Sequence, residues 1–159
     1  MQDTRFLADA MLGRLARWLR VIDADTVQLA VDSRDRELTA RAQSEGRVLL
    51  TRDRRLKQAV HPARVFAVTS SVPLEQLAEV VRTFGLRKPN ELLTRCLLCN
   101  VPLDVVPPAD ARRLVPPRSR DLPGVVRRCP SCGRVYWRGS HVRRMEAALR
   151  AALPQWDYR

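Results

Sequence analysis

The chain has 159 residues, of which 45% are hydrophobic and only 5% aromatic, so it can bury a core of mostly Leu, Val and Ala, and wholesale disorder is excluded. No run of residues approaches the ~18 apolar residues that span a bilayer, and no apolar signal region follows the first residues, so we expect a cytoplasmic protein without membrane association. The formal net charge of +12 favours a polyanionic partner, for which RNA is our candidate.

This charge is unevenly distributed along the chain. Residues 1–86 carry 14 Lys and Arg against 11 Asp and Glu, whereas residues 87–159 carry 15 against 6. We therefore expect the RNA-binding surface mainly in the second half, with Arg112, Arg113, Arg127 and Arg128 as candidate phosphate contacts. A genome rich in Arg codons would explain why 27 of the 29 basic residues are Arg, but it does not explain the excess of base over acid.

Short apolar runs alternate with helical patterns through the first half of the chain. Strands are predicted at 5–9, 26–31, 48–51 and 65–68, and helices at 10–21, from 32–33 to about 45, and at 73–84, with a short helix or turn from 53 to about 59. Gly46 and Gly85 are placed to end two of the helices. This alternation predicts a parallel sheet covered on both faces, and ligands of such folds bind beyond the carboxyl ends of the strands.

The alternating pattern stops near residues 87–90, and proline then becomes frequent. We expect little regular structure from there until Ser140, which is placed to cap a closing helix. The chain therefore divides into an α/β domain over residues 1–88 and a second unit over residues 89–159.

Four cysteines form two C-x-x-C pairs, Cys96 with Cys99 and Cys129 with Cys132, separated by 29 residues. Two such knuckles can place four thiolates around one tetrahedral Zn²⁺, and metal binding would supply much of the folding energy of this segment. Gly133 and Asn100, each directly after a knuckle, tolerate the left-handed backbone that the turns need. Disulfides, a redox pair and an iron–sulfur cluster are the alternatives, but a reducing compartment disfavours the first, and a redox C-x-x-C belongs near a βαβ unit.

Acidic residues follow three of the predicted strands: Asp9, Asp32 with Asp35, and Asp53. Converging carboxylates would hold Mg²⁺ or Mn²⁺ for phosphodiester hydrolysis, because these ions prefer oxygen ligands. Each acid also has an ordinary explanation as a helix cap, a first-turn charge or a surface ion pair. Similarly, the segment Tyr136-Trp137-Arg138 could stack on bases or form the small core of the ribbon.

Several segments in fixed order resemble one family. They are Phe6-Leu-Ala-Asp9, Leu15-Ala-Arg-Trp-Leu-Arg20, Leu50-Thr-Arg-Asp53, the two cysteine pairs and Tyr136-Trp-Arg-Gly-Ser-His141. Together they resemble the Mut7-C RNase domain family over nearly the whole chain. That family is itself similar to PIN-like ribonucleases with a zinc ribbon attached behind.

The resemblance implies a PIN-like parallel sheet with flanking helices, followed by a zinc ribbon and a closing helix. It also implies Mg²⁺- or Mn²⁺-dependent cleavage of RNA, such as tRNA or rRNA, with Asp9, Asp35 and Asp53 as catalytic metal ligands. Arg52 or Arg54 could clamp the substrate phosphate, since a guanidinium matches phosphate oxygens.

Two departures from the family pattern stand out. Asp23 replaces the glycine that often precedes the second strand, and no residue clearly matches the glutamate that PIN nucleases carry between the first and third acids. The alternative function is therefore a non-catalytic RNA- or ribosome-binding adaptor with a vestigial active site. The oligomeric state and the RNA target do not follow from the sequence.

Overall fold

The computed structural model describes residues 4–29, 35–55 and 64–156. The strands are β1 (Phe6–Ala8), β2 (Thr26–Gln28), β3 (Val48–Thr51), β4 (Val65–Ala67), β5 (Asp104–Val105), β6 (Arg127–Arg128) and β7 (Val135–Tyr136). The helices are α1 (Gly13–Val21), α2 (Asp35–Ser44), α3 (Pro73–Phe84), α4 (Pro108–Leu114) and α5 (Ser140–Ala152), with 3₁₀ turns at Ala10–Leu12 and Pro117–Ser119.

The first four strands form one parallel sheet in the order β2-β1-β3-β4. Phe6 pairs in register with Thr26 on one side and with Val48 on the other, so the amino ends of these strands are aligned. The predicted α/β fold with a parallel sheet is confirmed.

Side chains of the central strands alternate between two hydrophobic clusters. Phe6, Ala8 and Leu50 pack with α1 and α3 on one face of the sheet. Leu7 and Leu49 pack on the other face with Leu38 and Ala42 of α2. Because successive residues of a strand point to opposite faces, a continuous apolar run is what a sheet covered on both sides requires.

Three residues in the connections between these elements have a left-handed backbone conformation. Gly46 (φ 62°) follows α2 and Gly85 (φ 61°) ends α3, as predicted. Asp23, at φ 64°, adopts the same conformation just before β2. The glycine that the resemblance implies before the second strand would suit this geometry, which Asp tolerates better than most residues with a Cβ.

Residues 101–156 contain more regular structure than expected. β5, β6 and β7 form an antiparallel sheet in that order, and α4 lies where the prolines predicted an irregular segment. Pro108 is the first residue of α4, a position where its missing N–H costs nothing. The prediction that Ser140 caps the closing helix is wrong: Ser140 is its first residue, the N-cap is Gly139, and no side-chain hydrogen bond caps it.

The closing helix packs against the first half of the chain. Leu149, Leu153 and Trp156 belong to the same hydrophobic cluster as α1 and α3, and Trp156 Nε1 donates a hydrogen bond to the carbonyl oxygen of Leu86 (3.3 Å). The core of the second unit is thus shared with the first. Within the described ranges, no helix is long and apolar enough to cross a membrane.

Candidate metal centre and acidic sheet edge

The four cysteines come together in one cluster. Their sulfur atoms all lie within 4.8 Å of one another, and Cys96 and Cys129 are buried. Four thiolates at this separation can surround a tetrahedral Zn²⁺. The predicted convergence of the two pairs is confirmed, and the cluster is consistent with a zinc ribbon.

The two knuckles have equivalent backbone geometry. In each one, the amide of the second cysteine points at the sulfur of the first, at 3.4 Å in both. The residue after each pair is left-handed, Asn100 at φ 65° and Gly133 at φ 72°, and donates its amide hydrogen to the carbonyl oxygen of the first cysteine. This repeated turn brings both sulfurs of each pair to one side.

Tyr136 connects the cluster to the core. Its buried hydroxyl lies 3.3 Å from Cys96 Sγ and accepts the amide hydrogen of Leu97 (3.0 Å). Burial alone would raise the pKa of the Cys96 thiol, but hydrogen bonds from Tyr136 and from the amides of Cys99 and Leu98 lower it to about 6. These contacts favour the thiolate form that a metal requires. Tyr136 is therefore a residue of the ribbon's core and does not present its ring for base stacking.

Arg20 holds the first knuckle against the parallel sheet. Its guanidinium is almost fully buried and donates to the carbonyl oxygens of Thr26 (2.9 Å) and Leu97 (2.6 Å). Burial is the main reason that the pKa of Arg20 lies below its ordinary value. The arginine pattern of α1 gave no indication that this residue, unlike Arg14 and Arg17, faces inward.

Asn100 makes a second link at the same place. Its side-chain oxygen accepts the amide hydrogen of Thr26 (2.9 Å), and its Nδ2 donates to Asp25 Oδ1 (2.7 Å). Asp25 also receives Arg47 Nη1 at 2.6 Å. Burial alone would raise the pKa of Asp25, but the hydrogen bonds from Arg47 and Asn100 hold it below its usual value. The first knuckle therefore docks at the amino end of β2.

At the opposite, carboxyl edge, Thr51 joins two of the predicted catalytic acids. Its hydroxyl donates to Asp9 Oδ2 (3.0 Å) and accepts the amide hydrogen of Asp53 (2.9 Å). Asp9 is half-buried directly after β1, and its side chain makes no capping hydrogen bond to the 3₁₀ turn that follows. Asp9 therefore stands at the N-cap position of this turn, but its carboxylate does not cap it.

The Asp53 side chain is exposed and has a local partner. Its Oδ1 accepts the amide hydrogen of Arg55 (2.8 Å), a bond typical of a turn or helix start. On the other side of Asp9, Gln28 ends β2 and donates its Nε2 to the carbonyl oxygen of Ala10 (3.0 Å). The edge thus carries a row of polar groups from Gln28 through Asp9 to Thr51 and Asp53.

The third predicted acid is not placed by these contacts. Asp35 begins α2, but its side chain lies outside the described part of the structure, as do Asp32 and the segment 56–63. Among the described residues, the four cysteines are the only group of three or more His, Cys, Asp or Glu side chains that could hold a metal ion. The assignment of Asp9, Asp35 and Asp53 as metal ligands stays a prediction.

The candidate phosphate-binding arginines differ in their surroundings. Arg127 is largely covered and pairs with Glu91, while the exposed Arg112 pairs with Asp121 at 3.3 Å. Arg128 and Arg113 are exposed, and so are Arg52 and Arg54 beside the acidic edge. Their exposure leaves these side chains accessible to a phosphate, and phosphate binding by them stays a prediction.

One family model, the Mut7-C RNAse domain, matches residues 4–149. The chain belongs to the Mut7-C RNAse domain family. The match spans the parallel sheet, both knuckles and most of α5, so this Mut7-C chain shares the family's pattern in both halves. No curated relative and no solved structure matches it. The family's name indicates a nuclease-like, RNA-related function.

Proposed function

We propose that this Mut7-C chain is an endoribonuclease that uses Mg²⁺ or Mn²⁺ and acts on structured or ribosome-associated RNA, such as tRNA or rRNA. The observation that carries the proposal is the Thr51 hydroxyl at the carboxyl edge of adjacent parallel strands, which donates to the Asp9 carboxylate and accepts the backbone amide hydrogen of Asp53. In open α/β sheets this edge is where ligands bind. Family membership supports RNA as the substrate class.

The donor set at this edge fits a hard divalent ion. Asp9 and Asp53 offer carboxylate oxygens, and the described hydrogen bonds engage one oxygen of each, from the Thr51 hydroxyl and the Arg55 amide. Asp35, at the start of α2, is the third ligand of the proposal. A bound ion would supply charge neutralisation at the scissile phosphate and a more acidic water.

The protein's own contribution is orientation and charge. Thr51 fixes the Asp9 carboxylate against β3, so this oxygen donor does not depend on a flexible side chain. The exposed Arg52 and Arg54 flank Asp53, where either could bind a non-bridging phosphate oxygen in two-point geometry.

The second unit, residues 89–159 with its boundary at 88, is proposed to hold a structural zinc ion on Cys96, Cys99, Cys129 and Cys132. Its net positive charge is proposed to supply much of the RNA affinity, with Arg112, Arg113, Arg127 and Arg128 near phosphates. Because Arg127 already pairs with Glu91, its neutralisation should reduce the salt dependence of RNA binding less than neutralisation of the exposed Arg128.

The test is cleavage of total RNA in Mn²⁺ by the wild type and by Asp9→Asn and Asp53→Asn. Asparagine retains an oxygen that can accept the hydrogen bond from the Thr51 hydroxyl, so Asp9→Asn removes the negative charge while keeping the fold. Each variant should lower the cleavage rate by about 100-fold or more. Asp104→Asn is the matched control, since Asp104 is an exposed acid of the antiparallel sheet.

Unchanged cleavage by Asp9→Asn would contradict the proposed active site. The absence of cleavage by the wild type, together with tight RNA binding, would instead favour the adaptor. Isothermal titration with Mn²⁺, wild type against Asp53→Asn, would decide whether the edge binds an ion at all.

A further inference from the structure

A cavity in the second unit lies between residues 88–93, the antiparallel sheet and α5. Its volume is about 380 Å³, within the range of about 300–1,000 Å³ that is usual for small-ligand sites. We call it the Trp137 cavity, and define it by Leu92, Val125, Arg127, Trp137, Arg138 and Trp156. It belongs neither to the cysteine cluster nor to the acidic sheet edge.

The interior of the cavity is aromatic and aliphatic. Trp156 and Leu149 are buried at its base, whereas Trp137 is only half-buried and Val125 keeps 43% of its surface exposed. Trp137 and Val125 both line this concave surface, where a flat ring can contact an aromatic and an aliphatic side chain together. Purine and pyrimidine bases are rings of this kind, and every base can stack on an aromatic side chain.

The Trp137 ring is held in place by its neighbours. His141 meets it edge-on, with ring centroids 5.5 Å apart and an interplanar angle of 80°. Gly139 permits this arrangement, because a Cβ there would lie 3.0 Å from Trp137 Nε1 and 3.1 Å from His141 Nδ1. An aromatic platform fixed before binding loses little conformational entropy when a ligand arrives.

Charged side chains surround the cavity. Arg127 pairs with Glu91, and Arg138 with Glu146 at 3.1 Å, while Lys88 and Arg150 add two more cations to the lining. Basic side chains at a concave surface favour an anionic ligand, and the carboxylates can accept hydrogen bonds from base amino groups. A second cavity of about 270 Å³ also borders Trp137 and Arg138, so the surface continues past the indole ring.

We propose that the Trp137 cavity binds an unpaired nucleotide of RNA, with the base stacked on Trp137 and the phosphates near Arg138 and its neighbouring cations. The inference rests on the proposed function for its choice of RNA, and it names the feature of the substrate that the second unit recognises: a single-stranded segment. A base inside a perfect duplex is not free to enter this cavity.

The test is fluorescence anisotropy of a labelled single-stranded oligoribonucleotide of about 12 nucleotides, compared with a fully paired RNA duplex. Zinc is retained, and no Mg²⁺ or Mn²⁺ is added, so binding is read without cleavage. Trp137→Ala should weaken single-strand binding by about 5- to 150-fold and duplex binding far less. Its salt dependence should stay that of the wild type, because stacking releases no counterions, and Trp137→Phe should recover most of the affinity.

A second pair of variants guards against misfolding of Trp137→Ala. Val125→Glu places a carboxylate at the open wall of the cavity, and Val105→Glu adds the same charge at a residue of β5 that is 62% exposed and does not line the cavity. Val125→Glu should weaken single-strand binding several-fold more than Val105→Glu. Equal effects of these two variants, or single-strand affinity of a folded Trp137→Ala within about twofold of wild type, would overturn the proposal.

The outcome is separable from that of the proposed nuclease activity. If the wild type does not cleave RNA but binds a single strand in a Trp137-dependent manner, only the nuclease is rejected. If the wild type cleaves RNA and its single-strand binding does not depend on Trp137, only the nucleotide cavity is rejected.

Discussion

Replacement of Asn100 by glycine should loosen the contact between the first knuckle and the parallel sheet. Glycine keeps the left-handed backbone at φ 65° but removes both side-chain hydrogen bonds, to the Thr26 amide and to Asp25. Thr26 is fully buried, so its amide hydrogen loses a partner where water does not easily replace it. The substitution therefore tests the contribution of the Asn100 side chain without changing the backbone conformation of the turn.

The expected cost follows from these two bonds. A hydrogen bond to a carboxylate contributes about 1.5–3 kcal/mol, and a buried donor left without a partner costs about 1–3 kcal/mol. With partial relaxation, we expect the free energy of unfolding to fall by about 2–4 kcal/mol, a large part of the ~5–15 kcal/mol that stabilises a typical domain. Asn100→Ala should cost about 1 kcal/mol more, because alanine is also strained in the left-handed conformation.

The chain supplies its own matched control in the second knuckle. Gly133 occupies the same position at φ 72°, and a Cβ there would meet nothing closer than Arg128 Nη2 at 3.5 Å. Gly133→Asn should therefore change stability by less than about 1 kcal/mol. Urea unfolding of zinc-loaded protein, followed by tryptophan fluorescence and circular dichroism, measures both variants.

The effect of Asn100→Gly should also depend on pH. The pKa of Asp25 is lowered in the folded protein, so its contribution is present above the unfolded pKa and is lost as pH falls through the folded pKa. Without the Asn100 bond, that pKa rises toward its ordinary value. The difference between wild type and variant should then shrink as Asp25 becomes protonated. A loss of under about 0.5 kcal/mol at neutral pH, or an equal loss in Gly133→Asn, would refute this account of the docking.

Two further predictions concern the same contact region. Cys129→Ser should abolish stoichiometric zinc binding. It should also speed amide hydrogen exchange in β2, because the cysteine cluster and α1 share one hydrophobic core. Faster exchange confined to residues beyond 90 would contradict this. Asp23→Ala should lower the free energy of unfolding by about 1–2 kcal/mol, because it removes a residue tolerant of φ 64° and an ion pair to Arg95 at 3.5 Å. Asp23→Gly relieves the backbone strain, so it should lower the free energy of unfolding less in the same urea titration.

Local patterns predicted those parts of the fold that depend on neighbouring residues. The sheet follows from apolar runs such as Val48–Thr51, which can be buried on both faces, and the end of α3 follows from Gly85. The cysteine turns were predictable because Asn100 and Gly133 are residue types that tolerate a left-handed backbone.

Contacts between distant residues were not predictable in this way. Asn100 and Asp25 are 75 positions apart, and Arg127 and Glu91 are 36 apart. Nothing in the spacing of either pair marks it as a contact, so the sequence predicts Arg127 as a phosphate contact and gives no sign of its ion pair with Glu91. The helix α4 was missed because it begins at Pro108 and contains no buried residue, so it has no apolar periodicity to detect.

The two candidate sites occupy opposite edges of the parallel sheet. Thr26, the first residue of β2, receives the first knuckle, whereas Asp9 and Thr51 lie at the ends of β1 and β3. A strand of three residues spans about 10 Å, so neither knuckle supplies a side chain to the acidic edge through this contact. β2, whose first residue receives the knuckle, pairs with β1, which Asp9 follows. Any loss of cleavage on zinc removal should therefore parallel the loss of folded protein rather than reflect a missing catalytic group.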